Sequence, residues 1–318
     1  MVSDRMANDR TMTRRGLLGA SIATAAGAAA ADLMLCGPAV AGEPVAVTLP
    51  RTVQWDMTAG GDPARPHRIF ASWPETPPPP EGWPVLYLLD GNSIFGTATE
   101  AMRVVGGHGA AVGIPPALVV AIGYPTEKAF DQPRRARDYT PSAAGAPAGS
   151  GGADAFLDFI ESELKPEVER RFRVDRSRQT LFGHSYGGLF VLHALFTRCE
   201  AFQRYVAASP SIWWQDRAIL GEERRFAEAL PPAAAARSLL VTTGENELQA
   251  PPGEPPDPAR EERRRKARME ENARELAERL AALGPRGPAV SFVSFAGENH
   301  GSVIPAAISR AVAVALRR

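Results

Sequence analysis

The chain has 318 residues, 44% of them hydrophobic and 23% charged, which is enough apolar material for one large α/β core. Lys+Arg and Asp+Glu both number 36, for a formal net charge of +0. No basic stripe interleaved with aromatics is visible, so nucleic acid and other partners selected by bulk charge are excluded.

The N-terminus reads as an export signal. Thr13, Arg14, Arg15, Gly16, Leu17 and Leu18 contain a twin-arginine pair, and an Ala/Gly/Leu-rich stretch continues to about Ala31. That stretch is shorter than the roughly 20 residues a spanning helix needs, and Ala39, Val40 and Ala41 provide the small residues that signal peptidase requires. The expected organisation is a signal over 1–41, read by the twin-arginine export machinery and removed, then one domain over 42–318. The product would be periplasmic or secreted, without stable membrane insertion; an uncleaved anchor is the competing reading. Cys36 would leave with the signal, so Cys199 would stand alone and no intrachain disulfide would form.

Short alternating or apolar runs at 45–49, 52–57 and 68–73 predict antiparallel strands at one sheet edge. Beyond Pro77 to Pro80 the runs become continuously apolar, at 85–89, 117–122, 179–182, 205–208, 239–242 and 290–295, as in strands covered on both faces. Helical patterns at 153–171, 187–197, 218–230, 259–283 and 304–316 alternate with them. The fold class is therefore α/β: a mostly parallel central sheet with helices on both faces and antiparallel strands at the N-terminal edge. The low-complexity segments 142–153 and 250–258 read as loops or insertions. The charged helix 259–283, with Glu261, Glu262 and the run Arg263, Arg264, Arg265, Lys266, reads as a solvated face laced with i,i+4 pairs.

The segment from Gln179 to Gly188 carries the chemistry. It is strand, then Gly183-His184-Ser185-Tyr186-Gly187, then an apolar helix: the nucleophile elbow of an α/β-hydrolase, where glycines let a strand turn sharply into a helix and expose the serine. A serine hydroxyl needs a base, and the chain has five histidines. The order in this fold is Ser, acid, His, and His300, in the turn after the last strand, alone meets it. The acid should follow the preceding strand, where Glu245 and Glu247 compete; Glu247 is favoured, and a Ser–His dyad without an acid stays open. Backbone N–H groups of Gly91 or Asn92, with that of Tyr186, are the expected oxyanion donors.

These segments, with Tyr87 to Asn92, Arg137 to Pro141, Ser209 to Trp214 and Glu298 to Val303, resemble the putative esterase family that includes the enterochelin and bacillibactin trilactone esterases. The resemblance covers the chain from about Val45 onward. It implies that Ser185 and His300 are catalytic and that Arg137 and Trp213 lie near the acyl or catecholate end of a substrate. The alternative is that Arg137 pairs internally and the Trp213–Trp214 pair is core. The expected activity is hydrolysis of a small-molecule carboxylic ester through an acyl-enzyme, with a siderophore trilactone as the candidate substrate. No metal or organic cofactor is required, and iron would arrive only as cargo in a ferric siderophore. Acyl transfer of the mycolyltransferase kind, and a non-catalytic periplasmic binding protein on the same scaffold, are the other readings.

Overall fold

A computed structural model describes residues 43–111, 113–250 and 253–317. The twin-arginine segment and its cleavage site lie outside the described residues. Contacts separate residues 1–47 from a unit of residues 48–318, which holds every described helix and strand.

The strands are β1 (Thr52–Thr58), β2 (Pro66–Ser72), β3 (Trp83–Leu88), β4 (Leu118–Gly123), β5 (Val174–His184), β6 (Arg204–Ala208), β7 (Ser238–Gly244) and β8 (Ala289–Phe295). They form one eight-stranded sheet in the order β1-β2-β4-β3-β5-β6-β7-β8. The β1–β2 and β2–β4 pairs are antiparallel and all others parallel. The helices are α1 (Gly91–Ala111), α2 (Gln132–Tyr139), α3 (Ala153–Phe159), α4 (Lys165–Arg171), α5 (Tyr186–Thr197), the short α6 (Trp214–Arg217), α7 (Ile219–Ala229), α8 (Pro258–Ala267), α9 (Met269–Ala281) and α10 (Val303–Leu316).

Side chains alternate across a strand, and the central strands feed two cores. Val85, Tyr87 and Leu89 join Leu118, Val120 and Ile122 on one face, under α5 and α9. Leu86 and Leu88 join Val119 and Ala121 on the other, under α1 and α10. The chain leaves β3 toward β4 on one side and returns through β5 on the other. The carboxyl ends of β3 and β5 therefore form the topological switch point, where open α/β sheets bind ligands.

Three local expectations are corrected. Residues 43–49 form no strand, and Val45 and Val47 are exposed, so the edge begins at β1. The helix expected over 259–283 breaks at Arg268, whose φ of 44° is left-handed, giving α8 and α9. The helix expected over 153–171 runs unbroken, with a π-helical stretch at Ile160–Leu164 between α3 and α4. Finally, β8 is an edge strand with no buried residue, although its run is apolar enough to suggest cover on both faces.

Among the described residues no helix is long and apolar enough to cross a membrane. Cys199 is a buried free thiol packed into the larger core.

Candidate active site

Ser185 sits between β5 and α5 with φ 60° and ψ −116°, a strained conformation for a residue with a side chain. Close backbone approach explains the glycines around it. A Cβ at Gly183 would lie 2.3 Å from the Gly187 carbonyl oxygen, and one at Gly188 would lie 2.8 Å from that of Ala208. The turn is fixed from both sides, because the Ser185 amide donates to Ala208 O (2.9 Å) and its carbonyl accepts from Ser211 N (3.1 Å).

The His300 loop between β8 and α10 lies across the end of β7. Its Nε2 is 3.1 Å from Ser185 Oγ and its Nδ1 is 2.7 Å from Glu247 Oε2. Burial pushes the Glu247 carboxyl up, but hydrogen bonds from His300, Ser209 and the Gly244 amide, together with the nearby imidazole, hold it below its ordinary value. An ionised Glu247 can only accept, so the proton sits on His300 Nδ1 and Nε2 is left with a lone pair facing the serine hydroxyl.

The two competing glutamates divide the work. Glu247 is 5% exposed and meets His300, whereas Glu245 turns outward and accepts from the Gly297 amide at 2.9 Å. Glu245 thereby ties down the loop that carries the histidine. The opposite side of His300 meets the buried His184 ring, with centroids 4.6 Å apart. Burial, then the neighbouring His300 and Arg135, hold His184 well below the ordinary histidine range, so His184 is a neutral wall.

β3 and β5 are neighbours, and Leu89 N donates to Phe182 O across them, which sets the loop after β3 beside the elbow. Gly91 and Asn92 open α1, and Tyr186 opens α5; amides at these positions precede the first intrahelical hydrogen bond. The Asn92 side chain is committed elsewhere. Its Nδ2 donates to Tyr124 O and Thr126 O, and its Oδ1 accepts from Tyr124 N, so Asn92 has only its backbone N–H to offer the site. Asp90, with φ 57°, is gripped by Arg135 through Nε–Oδ1 at 2.6 Å and Nη2–Oδ2 at 3.1 Å. The same guanidinium reaches the His184 carbonyl at 3.5 Å, so one buried cation joins the two loops.

Ser185, His300 and Glu247 open into a cavity of about 690 Å³ whose lining also includes Ser211, Trp213, Asp216, Met269 and, from α8, Arg263, Arg264 and Lys266. Trp213 is 39% exposed while Trp214 is buried, so the pair divides between cavity and core. Gln215, Asp216 and Arg217 all have positive φ, concentrating backbone strain in the turn that presents Trp213. Among the described residues, no three of His, Cys, Asp and Glu converge as metal ligands.

Arg137 departs from its expected place. It does not line this cavity. Its Nε and Nη2 bind the Asp138 carboxylate at 2.6 and 3.0 Å and its Nη1 donates to Ala64 O. Asp138 also meets the buried His67 at 3.1 Å and hydrogen-bonds the Tyr124 hydroxyl. On α2 it is Arg135, Asp138 and Tyr139 that are buried, an i, i+3, i+4 face that helical periodicity marks as inward. That spacing was the available signal for Arg135.

Ser211 and Ser209 were also missed. The Ser211 hydroxyl is 3.3 Å from Ser185 Oγ, and the Ser209 hydroxyl donates to Glu247. The α8 face is solvated and laced with ion pairs, as expected, and in addition Arg263, Arg264 and Lys266 line the cavity.

A parallel sheet with a serine elbow, a histidine after the last strand and a carboxylate after the one before it defines an α/β-hydrolase. The profile of the putative esterase family matches residues 63–284, and the chain belongs to that family, as a carboxylic ester hydrolase. It is 43% identical over 281 residues to the ferri-bacillibactin esterase BesA of Bacillus subtilis, covering 85% of this chain and 91% of that one. It is 41% identical over 281 residues to the siderophore triacetylfusarinine C esterase of Aspergillus fumigatus, covering 84% and 94%. The crystal structure of the BES protein from Bacillus cereus superposes with a TM-score of 0.76 at 36% identity, covering 88% of this chain and 100% of that one.

Proposed function

We propose that this protein hydrolyses the ester bonds of siderophore trilactones through an acyl-enzyme on Ser185. The observation that carries the reading is the continuous hydrogen-bonded line Glu247–His300–Ser185 opening into the 690 Å³ cavity, a volume within the range of small-molecule sites. The relatives named for siderophore esters supply the substrate class.

Ser185 Oγ attacks the ester carbonyl while its proton passes to His300 Nε2. The negative charge on the carbonyl oxygen is met by the amides of Tyr186 and of Asn92 or Gly91, at the heads of α5 and α1. Collapse breaks the acyl C–O bond, and the leaving alkoxide takes the proton from His300. Water then repeats the sequence on the acyl-enzyme, releasing a carboxylic acid and restoring Ser185. Glu247 holds the imidazole in the required tautomer and stabilises the imidazolium. Trp213, at the cavity edge, offers a face on which an aromatic ring can stack. The twin-arginine pair Arg14 and Arg15 supports an address outside the cytoplasm as part of the same proposal, which cell fractionation with and without Arg14→Lys and Arg15→Lys checks.

The test is a mass-spectrometric screen of trilactone siderophores and short aryl esters with the purified protein. Ring-opened linear products are expected, with loss of turnover in Ser185→Ala. A Ser185→Ala protein that turns over p-nitrophenyl butyrate at the wild-type rate would sink the mechanism. Trilactones that stay intact while aryl esters are cleaved would sink the substrate.

A further inference from the structure

Helix α8 has no buried residue, yet it stands at the mouth of the catalytic cavity. A short helix without an apolar face gains little from packing, so burial does not explain its position. What it brings to the cavity is charge. Arg263 and Lys266 are three residues apart, on one side of the helix, and both line the cavity with Arg264. Arg264 is held by Glu254. Among the described residues Arg263 makes no close ion pair, only a longer-range attraction to Asp257, and Lys266 has a 3.5 Å contact with Glu262 in which both side chains are exposed, pairings that solvent and ligand readily exchange. Among the described residues the carboxylates in the lining are Asp216 and Glu247, and Glu247 is committed to His300. The cavity lining therefore holds a surplus of cations alongside Trp213.

We infer that the Arg263 and Lys266 face of α8 is an anion subsite that selects substrates by the charge they acquire on binding metal. This selection presupposes the trilactone hydrolysis proposed above. Catechol hydroxyls lose their protons when they chelate Fe(III), so a ferric tris-catecholate is trianionic, whereas its metal-free trilactone is close to neutral at pH 7. A ferric tris-hydroxamate of similar bulk is neutral. The cations on α8 attract the first of these and are indifferent to the other two.

The experiment measures kcat/KM for a ferric tris-catecholate trilactone and for the same trilactone without metal, on the full chain, and takes their ratio. A ratio cancels any general loss of active protein. The wild type is expected to favour the ferric form. In Arg263→Gln/Lys266→Gln the ratio should fall about tenfold, mainly through KM of the ferric form, and 0.5 M salt should shrink the wild-type ratio likewise. Arg265→Gln removes a charge from the same helix but outside the lining and should leave the ratio unchanged. A wild-type ratio near one, or a double variant that keeps the wild-type ratio, overturns the subsite while leaving trilactone hydrolysis standing. A preference for a ferric tris-hydroxamate ester equal to that for the catecholate shows selection by bulk, and overturns it also. If neither form of the trilactone is cleaved, the substrate reading falls and the subsite with it.

Discussion

Replacing Glu247 by glutamine alters one atom of the side chain and reverses the hydrogen-bond polarity of the line that ends at Ser185. Glu247 Oε1 accepts from the Ser209 hydroxyl and from the Gly244 amide at 3.1 Å. The amide proton cannot be reversed, so a glutamine must keep its carbonyl oxygen there and turn its NH₂ toward His300 Nδ1. That nitrogen must then accept, the ring proton moves to Nε2, and Nε2–H faces Ser185 Oγ, 3.1 Å away in the wild type. The imidazole can no longer take the serine proton. Loss of the correct tautomer in a Ser-His-acid site costs about 10³- to 10⁴-fold in kcat, or ~4–5.5 kcal/mol of barrier. Steady-state hydrolysis of p-nitrophenyl butyrate reads the loss, and an unfolding midpoint close to the wild-type value shows that packing is kept. A variant within tenfold of the wild-type kcat would refute the tautomer argument and leave a Ser–His dyad as the working unit.

Arg135→Met strands the Asp90 carboxylate in a buried site and is expected to destabilise the fold by about 3–5 kcal/mol in urea unfolding; adding Asp90→Asn should recover part of that loss, and a single-variant cost under ~1 kcal/mol would contradict the bridge between the two loops. Gly183→Ala puts a methyl group against the Gly187 backbone and should abolish soluble, active protein, whereas Gly221→Ala, half-buried on α7 with nothing nearer than 3.6 Å, should stabilise by about 0.5–1 kcal/mol. Glu247 and Asp138 are both held below their ordinary values of 4.5 and 3.8. Depressed carboxyls stabilise the fold fully above the ordinary values, and the contribution is lost as pH falls below them, because the unfolded chain then takes up protons first. His184, held well below its ordinary value of 6.5, adds a loss that begins near that pH, so thermal midpoints should start to fall below about pH 6.5 and fall further below pH 4.5, the second fall being less steep in Glu247→Gln; an equal slope there would contradict the Glu247 share.

The parts of the site that could be read without coordinates are those whose chemistry is contiguous or fixed by chain order. The elbow is one unbroken segment, and His300 follows from elimination among five histidines. Between Glu245 and Glu247 the sequence favoured the second, and the turn shows why the two part, since one faces His300 and the other the Gly297 amide. Arg135 and Arg137 are separated by the helical period alone, and the resemblance pointed to the half-buried one that pairs with Asp138. Helix α1 has no clear periodic signal because Gly96, Gly106, Gly107 and Gly109 dilute its pattern. The α8–α9 break rests on a left-handed arginine that has no marker in the sequence, and the charged face of α8 looks like solvated surface until the cavity beneath it is seen. Parallel strands were legible from their apolar runs; β8 misled because an edge strand can be as apolar as a central one.

The turn from Ser209 to Ser211 holds Glu247 through one hydroxyl and touches Ser185 through the other, and Ser211 N also binds the Ser185 carbonyl. The first and last members of the relay are thus registered against each other without help from the middle one, whose side chain is 41% exposed. His300 behaves as a replaceable insert in a preformed slot. Truncating it to alanine leaves a nucleophile and a carboxylate still facing one another across an imidazole-sized gap open to water, and free imidazole added to His300→Ala should restore measurable turnover, saturating with its concentration.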